Sequence, residues 1–260
     1  MTPQPPVSRK RGLGWPWNNT ADEFRIYEAA FNKGTLTWLY NWEMWKPQGF
    51  PSKLEYVPQV RTTKEVGQIN QFLDPLHAAG QLHHFVGFNE PDMASQANLS
   101  ASSGASLWKQ NILPLKNKYG NVSLCSPAIS NGPHGIQWLK DFFKELGGID
   151  AAKVDVIVIH YYSLDVNHFK QYVNEVHDTF KKPIWITEFA CTAFDAAHPV
   201  NETQVMNFMK EALKFLDGAA FVARYAWFGA MKSLPDAVGH ANAIENNGQL
   251  TNIGKLYCAV

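Results

Sequence analysis

The sequence predicts a single (β/α)8 barrel domain over residues 1–260. The chain length of 260 residues is close to the ~250 residues of such barrels. Eight strand-like apolar runs alternate with helix-like runs, which is the pattern of parallel α/β folds. No linker or break in composition divides the chain, and 45% of its residues are hydrophobic, which is enough for one large core.

The eight predicted strands are short runs rich in apolar and β-branched residues. They cover residues 12–18, 36–42, 55–61, 84–90, 122–128, 154–162, 183–190 and 221–228. The sixth is almost continuously β-branched, as expected for a strand that is buried on both faces. Pro58 lies in the third strand and cannot donate to a ladder, so we expect a bulge there or a later start.

The predicted helices have apolar residues at three- and four-residue spacing. The first begins at the Asn19-Thr20-Ala21-Asp22 cluster and ends at Lys33, because Gly34 follows. The others cover residues 64–79, 105–119, 136–146, 166–180, 203–216 and 252 to the end. Residues 43–53 lack this periodicity, so we expect a loop in place of the second helix.

Charge and hydropathy exclude several classes of partner. Lys plus Arg and Asp plus Glu number 23 each, so no basic excess exists to bind nucleic acid. No run of 18 apolar residues is available to span a membrane. Residues 1–10 are polar and Pro-rich, without the apolar centre of a secretory signal, and we expect a flexible tail. Sequons at Asn18, Asn98, Asn121 and Asn201 are compatible with a secreted or cell-wall protein, which we expect to be a monomer.

Cysteines and histidines give weaker signals. Three cysteines allow at most one internal disulfide. Cys125 lies in the fifth strand, as a core thiol would, while Cys191 and Cys258 remain open between a bridge and two free thiols. His83 and His84 are adjacent in a strand and therefore point to opposite faces, so we predict no metal site there.

Two of the predicted strands end in a glutamate. Glu90 follows the fourth strand and Glu188 ends the seventh, 98 positions later. That separation is about three βα units, and a barrel brings the carboxyl ends of all its strands to one rim. The two carboxyl groups are therefore predicted to face each other across the barrel mouth, as the paired acids of glycoside-cleaving enzymes do. The alternative is two rim carboxylates held in structural ion pairs.

Aromatic and polar residues accompany the glutamates at the strand tips. The predicted substrate-binding residues are Trp15, Trp17, Asn18, Tyr40, Trp42, Arg61, Asn89, His160, Tyr162, Trp227 and Phe228. Aromatic faces suit the C–H faces of sugar rings, and the balanced charge favours a neutral ligand. The pattern predicts a carbohydrate cleft that needs no metal and no cofactor. For each tryptophan, filling of the rim is the structural alternative.

Five segments of the chain resemble glycoside hydrolase family 128, the fungal glycosyl hydrolase catalytic core family. They are RGLGW at 11–15, GFNEPD at 87–92, IHYY at 159–162, WITEF at 185–189 and YAWF at 225–228. The likeness runs from about Lys10 to Tyr257. It implies hydrolysis of β-1,3-glucan, such as laminarin or laminari-oligosaccharides, with net retention.

The resemblance also implies residue roles. Glu90 corresponds to the acid/base and Glu188 to the nucleophile, and Asn89 to a residue that hydrogen-bonds the sugar 2-hydroxyl next to the nucleophile. Tyr162 or His160 would orient Glu188.

In the same way, Trp227 would form the floor beneath the reacting sugar, and Arg61 is a further candidate donor to Glu188. We predict endo cleavage. An exo enzyme with one end of the groove closed by residues 43–53 or 95–103 is an alternative, and so is a β-glucan-binding cell-wall protein with little turnover.

Overall fold

The computed structural model describes residues 9–260. Residues 1–8 of the predicted tail lie outside the described part of the chain. Lys10 is fixed, because its ammonium donates to the carbonyls of Leu216, Asp217 and Ala219 at 2.8–3.2 Å. Its own carbonyl accepts from the Tyr225 amide at 2.9 Å, so ordered pairing begins just before the first strand.

Eight parallel strands form one sheet that curls into a barrel, which confirms the predicted fold class. They are β1 (Arg11–Gly14), β2 (Leu36–Tyr40), β3 (Glu55–Tyr56), β4 (His84–Val86), β5 (Ser123–Ile129), β6 (Val156–Ser163), β7 (Ile184–Cys191) and β8 (Val222–Trp227). Their order in the sheet is β3-β2-β1-β8-β7-β6-β5-β4. The sheet therefore has β3 and β4 as its two ends, and these must meet to close the barrel.

The closing seam between β3 and β4 is narrow. A parallel bridge joins Gln59 to Val86, with the Val86 amide donating to Pro58 at 3.0 Å and the Val60 amide donating to Val86 at 3.1 Å. β3 itself spans two residues, far fewer than the predicted 55–61. Pro58 accounts for the interruption, because it lacks a backbone donor.

Helices cover the outside of the sheet. They are α1 (Glu28–Lys33), α2 (Ile69–Ala78), α3 (Ala101–Leu107), α4 (Leu115–Tyr119), α5 (Gly135–Glu145), α6 (Val166–Phe180), α7 (Glu202–Gly218) and α8 (Asn252–Cys258). Turns of 3-10 helix lead into α1 and α2. Residues 41–54 contain no helix, which confirms the loop expected between β2 and β3. No helix within residues 9–260 is long and apolar enough to cross a bilayer.

Two local elements differ from the prediction. The helix predicted over 105–119 is divided into α3, a π-helical segment (Trp108–Ile112) and α4, because Pro114 cannot continue the ladder. A hairpin of β9 (Glu245–Asn246) and β10 (Gln249–Leu250) was not predicted. Its turn is Asn247-Gly248, with φ of 50° and 77°, which is a strong sequence signal for a tight hairpin.

A packed plug fills the lower half of the barrel interior. The Arg224 guanidinium lies 4.5 Å from the Trp185 ring centroid and pairs with Glu55, whose Oε1 is 2.5 Å from His84 Nδ1. Burial alone would raise the pKa of Glu55, but hydrogen bonds from His84 and Arg224 lower it to about 2. These contacts fill the barrel interior at the end opposite the carboxyl rim. His83 is exposed.

All three cysteines are buried free thiols. The bridge between Cys191 and Cys258 that the sequence left open is therefore not formed. Burial raises the pKa of Cys191 to about 11 and that of Cys258 to about 12, so both thiols are protonated and unreactive in the folded chain.

Candidate active site

Glu188 lies within β7, near the centre of the sheet. β7 pairs with β6 on one edge and with β8 on the other, and Glu188 itself is paired with His160 of β6. The residue is only 6% exposed. Its Oε1 accepts a hydrogen bond from Trp42 Nε1 at 2.6 Å, and its Oε2 accepts one from the Tyr162 hydroxyl at 2.5 Å. Both carboxylate oxygens are therefore fixed by donors, as an ionised carboxylate prefers.

Asn131 holds the tyrosine that contacts Glu188. Its Oδ1 accepts from the Tyr162 amide at 3.0 Å, and its Nδ2 donates to the Tyr162 carbonyl at 3.1 Å. This two-point contact fixes the backbone from which the Tyr162 hydroxyl projects. Asn131 was missed in the sequence, although it lies two residues after the end of β5 at the same rim.

Glu90 lies four residues after β4, at the edge of the barrel seam. Its backbone is left-handed, with φ of 42°, and its amide donates to the Ala128 carbonyl at 2.8 Å. The side chain is 9% exposed, and its Oε1 lies 2.8 Å from His160 Nδ1. Pro91 follows and ends the pairing, as predicted.

His160 bridges the two glutamates. It is fully buried, with Nδ1 on Glu90 and with Nε2 2.9 Å from Thr187 Oγ1 and 3.4 Å from Glu188 Oε1. Burial lowers the pKa of His160, but the neighbouring Glu188 and Glu90 carboxylates outweigh it, so the pKa lies above its ordinary value. For Glu188, burial raises the pKa against the opposing influence of His160, Tyr162 and Trp42.

The three ionisable groups form one compact cluster. One ligating atom from each of Glu90, His160 and Glu188 lies within 4.8 Å of the others. Within residues 9–260 this is the only cluster of three such side chains close enough to hold an ion. His160 hydrogen-bonds Glu90 and lies within ion-pair distance of Glu188, so the charges of the three groups influence one another.

Asn89 presents an unused acceptor beside this cluster. Its amide donates to the Arg61 carbonyl at 2.9 Å, and its Nδ2 donates to Gln96 Oε1 at 3.2 Å. The side chain is 5% exposed, and its Oδ1 has no hydrogen-bond partner within the described residues. An unsatisfied buried polar atom is costly, and this oxygen is available to accept a hydrogen bond.

Backbone strain concentrates at the same place. Trp42, Glu90 and Phe194 have left-handed backbones, with φ of 60°, 42° and 54°, and all three line one cavity. This conformation is unfavourable for residues other than glycine. Strain of this kind persists where the surrounding structure enforces it, commonly at functional sites.

The cavity at the carboxyl rim has a volume of about 650 Å³. Its lining residues come from loops that follow β2, β3, β4, β5, β7 and β8, together with the ends of β6 and β7. They are Trp42, Arg61, Asn89, Glu90, Met93, Ser95, Gln96, Ser130, Asn131, Gly132, Tyr162, Glu188, Phe194, Phe228, Pro235, Ala237 and Val238. The volume is in the usual range for small-molecule sites.

Seven of the predicted site residues line this cavity. They are both glutamates with Trp42, Arg61, Asn89, Tyr162 and Phe228. Arg61 does not donate to Glu188 as we expected, because its guanidinium pairs with Glu43 at 3.4 Å. Asn89, Trp42 and Tyr162 make the contacts described above, beside the two glutamates.

Six predicted substrate-binding residues lie elsewhere. Trp15 and Trp227 point outward into the layer between sheet and helices, where Trp15 stacks on Phe24 at 4.3 Å and Trp227 Nε1 donates to the Asn242 carbonyl at 2.9 Å. The physical reason is strand alternation, since side chains one position apart face opposite sides of a sheet. Phe228, the next residue after Trp227, is the one that lines the cavity.

The other four do not line the cavity either. Tyr40 and His160 are fully buried beneath the cavity floor, and Tyr40 donates to the Thr187 carbonyl at 2.8 Å. Trp17 and Asn18 are exposed and do not line the cavity.

The residues missed in the sequence are mainly on loops. Met93, Gln96, Phe194 and the segment 235–238 line the cavity but follow no strand-like run directly. Loop conformation is set by tertiary contacts, so no local pattern could have placed them.

Two buried carboxyl groups facing each other across an open cavity on a parallel barrel define the site of a glycoside hydrolase. The chain belongs to the family described as the glycosyl hydrolase catalytic core, whose match covers residues 12–257. The predicted resemblance to family 128 is confirmed by the similar structures below.

Three similar proteins show how far the likeness extends. Alkali-sensitive linkage protein 1 of Schizosaccharomyces pombe is 34% identical over 253 residues, which cover 96% of this chain and 44% of that protein. A curdlan-specific exo-β-1,3-glucanase of family 128, subgroup III, from Blastomyces gilchristii, solved with glucose, is 31% identical. The likeness covers 98% of this chain and 100% of that chain, with a TM-score of 0.78.

A subgroup I endo-β-1,3-glucanase from Amycolatopsis mediterranei, solved with laminaritriose, is 27% identical. The match covers 96% of this chain and 99% of the A. mediterranei chain, with a TM-score of 0.76. The similar structures therefore include both exo and endo enzymes, and this chain spans less than half of the S. pombe relative.

Proposed function

We propose that this chain hydrolyses β-1,3-glucan with net retention of anomeric configuration. The observation that carries the proposal is the short separation of Glu90 and Glu188, since one carboxyl oxygen of each lies within 4.8 Å of one oxygen of the other. Retaining enzymes have carboxyl groups about 5–5.5 Å apart, whereas inverting enzymes need about 6.5–9.5 Å to admit a water molecule. The β-1,3-glucan substrate is supported by what the B. gilchristii and A. mediterranei structures are described as cleaving.

The different hydrogen bonding of the two glutamates supports their roles. Glu188 accepts from Tyr162 and Trp42, and these donors stabilise its ionised form as a nucleophile requires. The Glu90 carboxyl contacts His160 alone among the described residues. We assign Glu188 as the nucleophile and Glu90 as the acid/base.

The reaction then has two steps. Glu90 donates its proton to the glycosidic oxygen while Glu188 attacks the anomeric carbon, which breaks the bond to the leaving chain and forms a glycosyl ester. Glu90, now a carboxylate, removes a proton from water, which attacks the same carbon and releases Glu188. The free Oδ1 of Asn89 is positioned to accept a hydrogen bond from a sugar hydroxyl during both steps.

Substitution of the two glutamates tests this function. Glu90→Gln and Glu188→Gln should each lower the release of reducing sugar from laminarin by at least about a hundredfold. Glu245→Gln is a matched control, since Glu245 is a buried glutamate that does not line the cavity. Full activity in both cavity variants would disprove the assignment.

The stereochemistry needs its own measurement. Proton NMR of the first product should show the β-anomer before mutarotation. Azide should restore activity to Glu90→Ala with a β-glycosyl azide product and to Glu188→Ala with an α-glycosyl azide. A first-formed α-anomer in the unsubstituted protein would show inversion and contradict the proposal.

We further propose endo cleavage, at an extracellular or cell-wall location. Exo cleavage is the second candidate, favoured by the likeness to the B. gilchristii enzyme over the whole of both chains. Of the two loops that could close one end of the groove, only residues 95–103 contribute to the cavity, through Ser95 and Gln96.

Hydrolysis of laminarihexaose distinguishes endo from exo cleavage. Endo cleavage gives mixed oligosaccharides at early times, whereas exo cleavage releases one small product from the start. Oligosaccharide binding with no release of reducing sugar would favour a binding protein.

A further inference from the structure

Phe194 is an exposed aromatic residue that no step of the proposed reaction uses. Its side chain lines the cavity, and the residue is 53% exposed. Among the described residues, the exposed large hydrophobic residues are Trp17, Trp45, Met93, Leu164, Phe194 and Val260. Only Phe194 and Met93 of this group line the cavity, and Phe194 alone offers it an aromatic face.

The loop holds Phe194 in an unfavourable backbone conformation. Its φ of 54° is a clear outlier for a bulky residue. The Phe194 amide donates to Thr192 Oγ1 at 3.0 Å, and that hydroxyl donates to the Ala237 carbonyl at 3.0 Å. Asp195 Oδ1 then accepts from the Ala197 amide at 2.9 Å. These contacts fix the loop on both sides of Phe194, so the position of the ring is built into the fold.

The ring continues an aromatic wall that begins at the nucleophile. Its centroid lies 4.9 Å from that of Tyr162, at an interplanar angle of 59°. Tyr162 donates to Glu188, and its ring centroid lies 5.6 Å from that of Phe228. Phe194 is 53% exposed and packs on the ring of Tyr162, so Tyr162 links it to Glu188.

We infer that Phe194 is a specificity-determining platform, on which a glucosyl unit next to the reacting one stacks the C–H face of its ring. The inference rests on the proposed function, because it takes the ligand to be a β-1,3-glucan chain. A chain with this linkage turns at each unit, so a platform fixed at one angle to the reacting sugar selects it over a straighter β-1,4-linked chain. The exposed face of the ring is then covered when the sugar is bound.

Binding to an inactive background tests this inference directly. In protein carrying Glu188→Gln, isothermal titration with laminaripentaose should show about five- to tenfold weaker binding when Phe194→Ala is added, a loss typical of one aromatic contact. Phe194→Tyr should restore binding. Leu164→Ala is the matched control, since Leu164 is 50% exposed but does not line the cavity. The ratio of the affinities for laminaripentaose and cellopentaose should decrease in Phe194→Ala and in no other variant.

The possible results distinguish a failure of the Phe194 platform from a failure of the proposed function. If the Glu188→Gln protein binds no laminaripentaose, the proposed glucan substrate is wrong. If that protein binds laminaripentaose and Phe194→Ala leaves the affinity and the preference unchanged, the platform is wrong and the proposed function stands. An equal loss in Leu164→Ala would also overturn the platform, because it would show a general effect on the fold.

Discussion

Tyr162→Phe removes one oxygen atom and leaves the ring in place. The lost hydroxyl donates to Glu188 Oε2 at 2.5 Å. A hydrogen bond to a charged group contributes about 1.5–3 kcal/mol, which corresponds to a loss of about 10- to 150-fold in kcat/KM. The donor favours the ionised carboxylate, so its removal raises the pKa of Glu188 further, in the direction that burial already drives it.

The pH profile distinguishes this effect from a simple loss of packing. Attack requires ionised Glu188, so the acidic limb of kcat/KM should move to higher pH by about 1–2 units. The assay is laminarin hydrolysis from pH 3 to 8. Tyr161→Phe is the control, since the Tyr161 hydroxyl bonds the Asp165 carbonyl at 3.3 Å and His168 Nδ1 at 2.9 Å, away from the carboxylates. An unmoved acidic limb in Tyr162→Phe, or an equal shift in Tyr161→Phe, would refute the reasoning.

Further predictions concern stability. The pKa of Glu55 is lowered to about 2, so its charge stabilises the fold above about pH 4.3, and this stabilisation is lost as the pH falls through about 2. Glu55→Gln should therefore lower the free energy of unfolding in urea by about 3 kcal/mol at pH 7 and by progressively less toward pH 2. The raised pKa of Glu188 has the opposite sign, so Glu188→Gln should raise the thermal midpoint at pH 7 but not at pH 3. Phe194→Gly should be more stable than Phe194→Ala by about 1 kcal/mol, because glycine tolerates a positive φ; equal stability would contradict the strain. Thiol titration of denatured, unreduced protein should find three free thiols.

The sequence predicted the barrel and the two glutamates for one physical reason. Parallel strands that are buried on both faces give long apolar runs, and their ends share one rim whatever the intervening helices do. Glu90 and Glu188 both follow such runs, so small errors in the strand boundaries do not change the end of the barrel at which they lie.

Prediction failed where one residue of register or a tertiary contact decided the outcome. Trp227 was predicted to form the floor beneath the reacting sugar, yet alternation turns it outward and leaves Phe228 in the cavity. Asn131 and Phe194 lie on loops whose paths depend on partners far along the chain, such as Tyr162. No periodicity encodes those contacts.

The closing seam gives the two carboxylates unequal support. Glu188 projects from an eight-residue strand that is paired on both edges, whereas Glu90 follows a three-residue strand at the place where the sheet ends meet. Thermal breathing of the barrel should start there and widen the gap between the acids before the rest of the sheet loosens. Activity should then be lost several degrees below the melting temperature of the fold. A covalent cross-link between β3 and β4 would extend the working temperature without altering Glu90 or Glu188.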